Sequence, residues 1–187
     1  MKSVLTPECK TVILINGIPA SGKSKIARQI SETFGLPILT IDGIKEPFMA
    51  CFTDIDRSFN RQLGCAAYKV IWSVVEQSPA SCVWLIDAWF GFQPREMLQQ
   101  LVQQAGVERV LEVWNHISPE LAVSRYAERL QHRQPGHPGE EYLPELALLA
   151  KRAEPMGLGA VFRVDQQNPV ESEEVSKWIE RQIAGNK

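Results

Sequence analysis

The sequence predicts an α/β fold built on a parallel β-sheet. Short apolar runs typical of buried strands alternate along the chain with helical patterns, as in repeated β-α-β units. The first run, residues 11–15, is continuously hydrophobic after its threonine instead of alternating, which is expected of a strand that helices cover on both faces. A glycine-containing turn and an amphipathic helical pattern follow that strand directly.

Length and composition agree with one such domain over residues 1–187. The chain has 187 residues, of which 44% are hydrophobic and 22% charged, enough to bury a core without disulfides or a structural metal. Lys and Arg number 20 against 22 Asp and Glu, a formal net charge of −2. This balance argues against a dedicated nucleic-acid or membrane-surface binder, which usually has a basic excess.

Cysteine spacing and the N-terminal residues bear on metal binding and location. No two of the four cysteines have the C-x-x-C spacing of a zinc or redox site, so we expect buried or half-buried free thiols. Residues 1–8 contain no apolar signal-peptide core, and the longest apolar runs are far short of the roughly 20 residues of a membrane span. We therefore expect a cytoplasmic protein without a membrane partner.

The remaining elements follow from the same alternation. Further strands are predicted at 37–41, 82–86, 109–114 and 160–164, with helices near 23–34, 58–77, 95–105, 119–132 and 171–184. Ser118 reads as the N-cap of one helix, with Pro119 at its first position. Residues 43–80 are too long for a plain crossover and are interpreted as a substrate-binding insertion. Residues 133–143 hold two Pro and two Gly, which predicts a loop.

A phosphate-binding loop follows the first strand. The octapeptide from Gly17 to Ser24 matches G-x-x-x-x-G-K-[ST] in full. In such a loop the backbone N–H groups, here of Gly17, Ala20, Ser21 and Gly22, turn towards phosphate oxygens. Lys23 would lie between the β- and γ-phosphates and the Ser24 hydroxyl would bind Mg²⁺. A chance match is disfavoured because a strand precedes the motif and an amphipathic helix follows it.

Asp87 follows the apolar strand at 82–86, where ligands bind in open α/β sheets. An aspartate in this position can hold Mg²⁺ through water; the alternative is a helix N-cap. The next residue is Ala88 and not the glutamate that activates water in many ATP-hydrolysing motors, which favours phosphoryl transfer to a substrate over hydrolysis. No N-K-x-D signature of a GTPase is present, and the chain is too short for a motor ATPase with a helical lid domain.

Asp42 ends the second predicted strand and is a candidate general base. At the same sheet edge as the phosphate loop, its carboxylate could accept the proton of a substrate hydroxyl that attacks a phosphate. The alternative is an N-cap, but Lys45, not Glu or Gln, stands three residues later, so no capping box forms.

Arg125, Arg129 and Arg133 are spaced i, i+4, i+8, which would place them in one stripe on a helix. The stripe is either a solvated face or a surface that meets a triphosphate. The Pro- and Gly-rich loop that follows favours the second reading, a lid over about 125–143. His132 and His137 have no third ligand nearby in the sequence, so they are expected to contact nucleotide or cap the loop and not to bind a metal.

Together these motifs resemble a group of P-loop kinases that includes the kinase domain of polynucleotide 5′-kinase, the chloramphenicol phosphotransferases and the zeta toxins. The resemblance covers roughly residues 10–185. It implies a P-loop NTPase fold with a five-stranded parallel sheet of order 2-3-1-4-5, helices on both faces and a small lid. It also implies ATP and Mg²⁺ as cofactors, Asp42 as the base, and phosphate contacts from Arg125, Arg129 and Arg133.

Residues 43–80 contain no acceptor-recognition signature of any member of that group. The aromatic residues of this segment are by default core, namely Phe48, Phe52, Phe59, Tyr68 and Trp72. Trp89, Phe90 and Phe92 follow the third strand and could either stack on an acceptor or pack the lid.

The expected function is an ATP-dependent phosphotransferase, with Asp42, Lys23, Arg125 and Arg129 as catalytic residues, acting on a hydroxyl of a small molecule. A polynucleotide 5′-hydroxyl kinase is disfavoured by the sequence pI of about 6.0 and by the lack of a basic, groove-like cluster outside the lid. A toxin that phosphorylates a nucleotide sugar and a non-catalytic ATP-binding regulator are further alternatives. The acceptor and the oligomeric state remain open.

Overall fold

The computed structural model describes residues 5, 7–168 and 172–184, and its centre is a five-stranded parallel sheet. The strands are β1 Thr11–Asn16, β2 Ile38–Thr40, β3 Val83–Ala88, β4 Arg109–His116 and β5 Ala160–Asp165. Their order across the sheet is β2-β3-β1-β4-β5, so the predicted fold class and strand order are confirmed.

Helices pack on both faces of this sheet. They are α1 Lys23–Phe34, α2 Ile41–Met49, α3 Arg57–Glu76, α4 Arg95–Gln104, α5 Pro119–Arg129, α6 Leu143–Arg152 and α7 Ser172–Ala184. In β1, Val12 and Leu14 pack with α3 and α4, whereas Ile13 and Ile15 pack with α1 and α7. All four side chains are fully buried. The continuous apolar run is therefore explained by alternate residues that contribute to two separate cores.

A third hydrophobic cluster lies at the carboxyl edge of the sheet. Ile18 and Ala20 of the phosphate loop pack there with Tyr126 of α5 and with Leu146 and Ala150 of α6. This cluster fixes the position of the α5–α6 pair relative to the phosphate loop. No helix among the described residues is long and apolar enough to cross a membrane.

The prediction that Asp42 ends a strand is wrong. Strand β2 ends at Thr40, whose hydroxyl accepts a hydrogen bond from the Gly43 backbone N–H and caps α2. Asp42 therefore lies in the first turn of α2 and is not its N-cap. The helix was not predicted because Gly43 and Pro47, both unfavourable to helices, lie inside it.

The predicted arginine stripe is also wrong. Ser118 caps α5 as expected, but α5 ends at Arg129, and a short 3₁₀ helix, Leu130–His132, follows it. Arg133 is extended, with φ −81° and ψ 142°, so it does not continue the helix. Pro135 also disfavours helical backbone at Gln134, the residue directly before it.

The remaining differences between prediction and structure concern two helices and the cysteines. Helix α6 occupies a segment for which the sequence predicted no element, and residue 171, the expected first residue of the last helix, lies outside the described residues. The four cysteines are free thiols, three of them half-buried, but Cys51 is exposed.

A buried cation joins helices α3 and α4 at the amino end of the sheet. The Lys10 side chain is only 6% exposed. Its Nζ donates hydrogen bonds to the carbonyl oxygens of Val75, Glu76 and Ala105 at 2.9–3.0 Å. These carbonyls lie at the C-terminal ends of the two helices, where a positive charge is electrostatically favoured.

Candidate active site

The phosphate loop joins β1 to α1 and has the tight curvature that the motif predicts. Gly22 has φ +77°, and a Cβ on it would lie 2.5 Å from Oε1 of Gln166. A Cβ on Gly17 would lie 2.4 Å from the Ser21 hydroxyl. Ala20 also has a positive φ, 68°, a conformation that costs a non-glycine residue about 1–2 kcal/mol. Such strain is found where a loop is shaped for a ligand.

A buried network of hydrogen bonds stabilises the phosphate loop. Asn16 Oδ1 accepts hydrogen bonds from the backbone N–H groups of Gly17, at 2.8 Å, and Phe90, at 3.1 Å. Its Nδ2 donates to Glu112 Oε1 at 2.7 Å. The Asn115 amide donates to the Asn16 carbonyl at 3.1 Å. The loops after β1 and β3 are thereby held together.

Glu112 is completely buried in β4, yet its carboxylate is satisfied. Besides Asn16, the backbone N–H groups of Met156 and Gly157 donate to it at 2.9 and 2.8 Å. Sequence reasoning missed this network, although a glutamate inside a predicted apolar strand was a signal that it needed partners.

Lys23 and Asp87 line the same cavity, and each shifts the pKa of the other. The Lys23 Nζ lies 3.4 Å from the Ile18 carbonyl oxygen, so its side chain folds back over the loop. Burial lowers the pKa of Lys23, and Asp87 and Asp42 only partly oppose that effect. Burial likewise raises the pKa of Asp87, against the opposing influence of Lys23 and of a hydrogen bond from Ser24.

The environment of Asp87 fits a magnesium ion. Its side chain is 6% exposed, and its Oδ1 has no hydrogen-bond partner among the described residues. The Ser24 hydroxyl, a second oxygen ligand, lies near the same carboxylate in the cavity. An unsatisfied buried carboxylate oxygen beside a hydroxyl is chemistry that a hard divalent cation prefers.

Asp42 is surrounded by positive charge. Lys45 Nζ lies 3.2 Å from Oδ1, and the Arg133 guanidinium lies 3.5 Å from Oδ2. Burial by itself would raise the pKa of Asp42, but Lys45, His137 and Arg133 outweigh it and hold the pKa below its ordinary value. Asp42 is therefore ionised at neutral pH. Its side chain remains half exposed, towards the cavity.

Two of the three predicted lid arginines meet at one tyrosine. The guanidinium carbons of Arg129 and Arg133 lie 5.1 and 5.3 Å from the centre of the Tyr126 ring. Arg133 also donates to the Tyr126 hydroxyl at 2.8 Å. Burial lowers the pKa of Arg129, with Arg133 adding to the effect. Both arginines line the cavity that contains Lys23 and Asp42.

Arg125 lies apart from these two. Its guanidinium donates to Gln166 Oε1 at 3.1 Å, beside Gly22, and it does not line the cavity. Of the predicted site residues, the structure thus brings Lys23, Ser24, Asp42 and Asp87 to one cavity, which Arg129 and Arg133 also line.

The segment from Gln134 to Pro138 is fastened to helices α2 and α3. Gln134 donates to the Glu46 carbonyl at 3.1 Å, and His137 Nε2 lies 3.0 Å from the Glu46 carboxylate. The Asn60 amide donates to the Gly136 carbonyl. His137 thus contacts α2. The atoms of Asp42, Glu46 and His137 that could bind a metal ion lie within 4.8 Å of one another. Because Lys45 and Arg133 already supply positive charge there, we assign no metal to this cluster.

One cavity of about 740 Å³ connects these groups. Its acidic lining residues are Asp42, Asp87 and Glu145, whereas its basic ones are Lys23, Arg28, Lys45, Arg57, Arg61, Arg129, Arg133 and Arg152. Sequence reasoning missed the basic residues on α2, α3 and α6, because nothing local marks a residue that faces a cleft.

The aromatic residues divide between cavity and core. Trp89 and Phe92 line the cavity, whereas Phe90 is fully buried. In the segment 43–80, Tyr68 and Trp72 are core residues as expected, but Phe48 and Phe52 are exposed by about half.

No protein-family model and no curated protein matches this chain. Solved structures do. A protein from Chloroflexus aurantiacus J-10-fl, provisionally described as a kinase, superimposes with a TM-score of 0.80 at 21% identity, over 94% of this chain and 99% of its own. Shikimate kinase from Acinetobacter baumannii in complex with shikimate has a TM-score of 0.57 at 17% identity, over 97% and 96%. A gluconokinase from Sinorhizobium meliloti 1021 has a TM-score of 0.56 at 18% identity, over 94% and 92%. The fold is therefore the one found in P-loop kinases.

Proposed function

We propose that this chain is an ATP-dependent phosphotransferase that transfers the γ-phosphoryl group to a hydroxyl of a small molecule. The observation that carries the proposal is that Lys23 of a complete phosphate loop and the ionised Asp42 line the same cavity. The likeness in fold to proteins described as shikimate kinase and gluconokinase supports it. Phosphoryl transfer asks the protein mainly for positioning and charge stabilisation, which this arrangement can supply.

In the proposed reaction, the acceptor hydroxyl oxygen forms a bond to the γ-phosphorus of ATP. The bond from that phosphorus to the bridging oxygen breaks, and its electron pair leaves with ADP. The proton of the acceptor hydroxyl passes to the Asp42 carboxylate. Lys23, Arg129 and Arg133 neutralise the negative charge on the transferring group and on ADP.

The residues present fit a requirement for Mg²⁺. Ser24 would hold the ion directly and Asp87 would hold it through water. When bound, the ion would neutralise negative charge on the phosphates. Ionisation of Asp87, which burial opposes, becomes favourable beside the cation.

The cavity has room for a small acceptor beside the nucleotide. About 740 Å³ must accommodate the nucleotide as well as the acceptor. A purely regulatory ATP-binding role would leave the ionised carboxylate of Asp42 beside the phosphate loop without a purpose. The motif resemblance to the polynucleotide kinase, chloramphenicol phosphotransferase and zeta toxin group remains part of this proposal, and it does not specify the acceptor.

The test is a screen of hydroxylated small molecules for acceptor-dependent ADP release, combined with calorimetric titration of an ATP analogue with Mg²⁺. Lys23→Ala should lower the acceptor-dependent rate about 10²–10³-fold. Lys25→Ala is the matched control, because Lys25 is exposed on the same helix and does not line the cavity. Wild-type turnover in Lys23→Ala, or no nucleotide binding by the wild type, would refute the proposed function.

A further inference from the structure

The cavity is more basic than its phosphate-binding part requires. Eight of its lining residues are Lys or Arg and three are Asp or Glu, whereas the whole chain has a net charge of −2. Lys23, Arg129 and Arg133 lie at the phosphate loop or on the lid, where they would contact a triphosphate. A second group of basic residues belongs neither to that loop nor to the lid and lies on α3 and α6.

This second group consists of Arg57, Arg61 and Arg152, and its members differ in their partners. Arg57 is paired with Glu145, and its guanidinium lies 5.9 Å from the centre of the Tyr142 ring. Arg61 and Arg152 have no carboxylate oxygen within 4 Å anywhere in the part of the chain that the structure describes. The Arg57–Glu145 pair joins α3 to α6, and the two unpaired arginines are exposed residues of these helices that line the same cavity.

The face of α3 that carries Arg57 and Arg61 also leaves a gap. Gly64 lies one turn after Arg61 on the same face and lines the cavity. A Cβ on Gly64 would meet no atom within 4 Å, and its φ is not positive, so neither packing nor backbone conformation requires a glycine. Glycine inside a helix is unfavourable relative to alanine. The absence of a side chain at Gly64 leaves the adjoining part of the cavity open.

We infer that Arg61 and Arg152 form an anion-binding subsite of the acceptor, with Gly64 providing room beside it. The inference rests on the proposed function. It names the acceptor class: a hydroxylated small molecule that carries a carboxylate or a phosphate monoester. Arginine guanidinium groups bind both anions through paired hydrogen bonds. The anion lies in the subsite while a hydroxyl of the same molecule faces Asp42.

The subsite is tested by calorimetric titration of the full chain saturated with a non-hydrolysable ATP analogue and Mg²⁺, which occupies the phosphate loop. The probes are glucose, glucuronate and glucose 6-phosphate, which share a pyranose ring and differ only in whether C6 carries a hydroxyl, a carboxylate or a phosphate monoester. At least one anionic probe should bind ten-fold or more tightly than glucose, and the better one identifies carboxylate or phosphate. Equal binding of all three probes, or no binding of either anion, overturns the inference.

Substitutions test whether these residues bind the anionic probe. Arg61→Gln and Arg152→Gln should each weaken the anionic probe about ten-fold and leave glucose unchanged. Arg163→Gln is the matched control, because Arg163 is an exposed arginine outside the cavity, paired with Glu154. Gly64→Ala should keep or raise the melting temperature and still weaken the probe, an outcome that a purely structural glycine would not produce. Anion affinity that is unchanged in both arginine variants overturns the inference.

Failure of the subsite and failure of the proposed function are distinguishable. Turnover of an anionic acceptor that is insensitive to Arg61→Gln and Arg152→Gln supports the phosphotransferase and overturns the subsite. Anion binding that depends on these arginines, with no ADP release for any acceptor, supports the subsite and contradicts the phosphotransferase.

Discussion

Replacing Asp42 by asparagine removes one carboxylate charge with almost no change in shape. If Asp42 is the base, the acceptor-dependent rate should fall by about 10²–10⁴-fold. Nucleotide affinity should stay the same or rise slightly, since Arg133, 3.5 Å from Asp42, would lose a carboxylate that competes with phosphate. The wild-type rate should not fall through titration of Asp42 until the pH drops below the ordinary pKa of 3.8, because its pKa is lowered.

The same substitution has a structural cost, which can be estimated. Lys45 is 6% exposed and loses its carboxylate partner at 3.2 Å. The first turn of α2 also loses a negative charge, typically about 0.3–1 kcal/mol. Because Asp42 itself is half exposed, water screens the pair, and the total should be about 1–2 kcal/mol. In a chain of this length, that corresponds to a melting temperature lower by about 2–8 °C.

Asp56→Ala separates the two effects. The Asp56 carboxylate caps α3 by accepting from the Phe59 N–H at 2.7 Å, and Asp56 does not line the cavity. Its loss should also cost about 1 kcal/mol. Turnover, nucleotide affinity and melting temperature should be measured for both variants well below their melting temperatures. If Asp42→Asn loses no more turnover than Asp56→Ala, Asp42 is a structural residue and the assignment of the base is refuted.

Three further predictions concern stability and the lid. Lys10→Met should lower the free energy of unfolding in urea by about 2–4 kcal/mol, since two buried carbonyls and one partly buried carbonyl lose their donor. A loss below about 0.5 kcal/mol would contradict this. Burial, Lys45 and Arg133 lower the pKa of His137, so its contribution to stability should decrease as the pH falls through 6.5. The melting temperature of His137→Asn should therefore depend less on pH than that of the wild type. Parallel plots of melting temperature against pH for the two proteins would exclude the effect. Residues 125–143 should gain hydrogen-exchange protection with an ATP analogue, and equal protection in both states would argue against a nucleotide-dependent lid.

Much of this molecule follows from patterns that are local in the sequence. The apolar run of β1, the octapeptide Gly17 to Ser24 and the Ser118–Pro119 helix start each depend on neighbouring residues, so the sequence alone predicts them. The strand alternation likewise determines a parallel sheet, because helices must cover both of its faces. Asp87 could be placed at the carboxyl edge of that sheet for the same reason.

The composition of the cavity depended on tertiary structure. Lys45, Arg61 and Arg152 come from three helices, and no spacing within one segment shows that they face a common space with Asp42. Helix α2 was not predicted because it contains Gly43 and Pro47, although tertiary packing and the Thr40 cap stabilise it.

The positions of the lid arginines show most directly what the sequence could not predict. Helical spacing predicted one stripe, but α5 ends at Arg129, and Arg133 reaches Asp42 from an extended segment. The side chain of Tyr126 then brings both guanidinium groups together, while Arg125 turns to Gln166. The sequence determined which charges are available, and only the packing of distant segments decided which of them share the cavity, because that depends on where helices end and what they pack against.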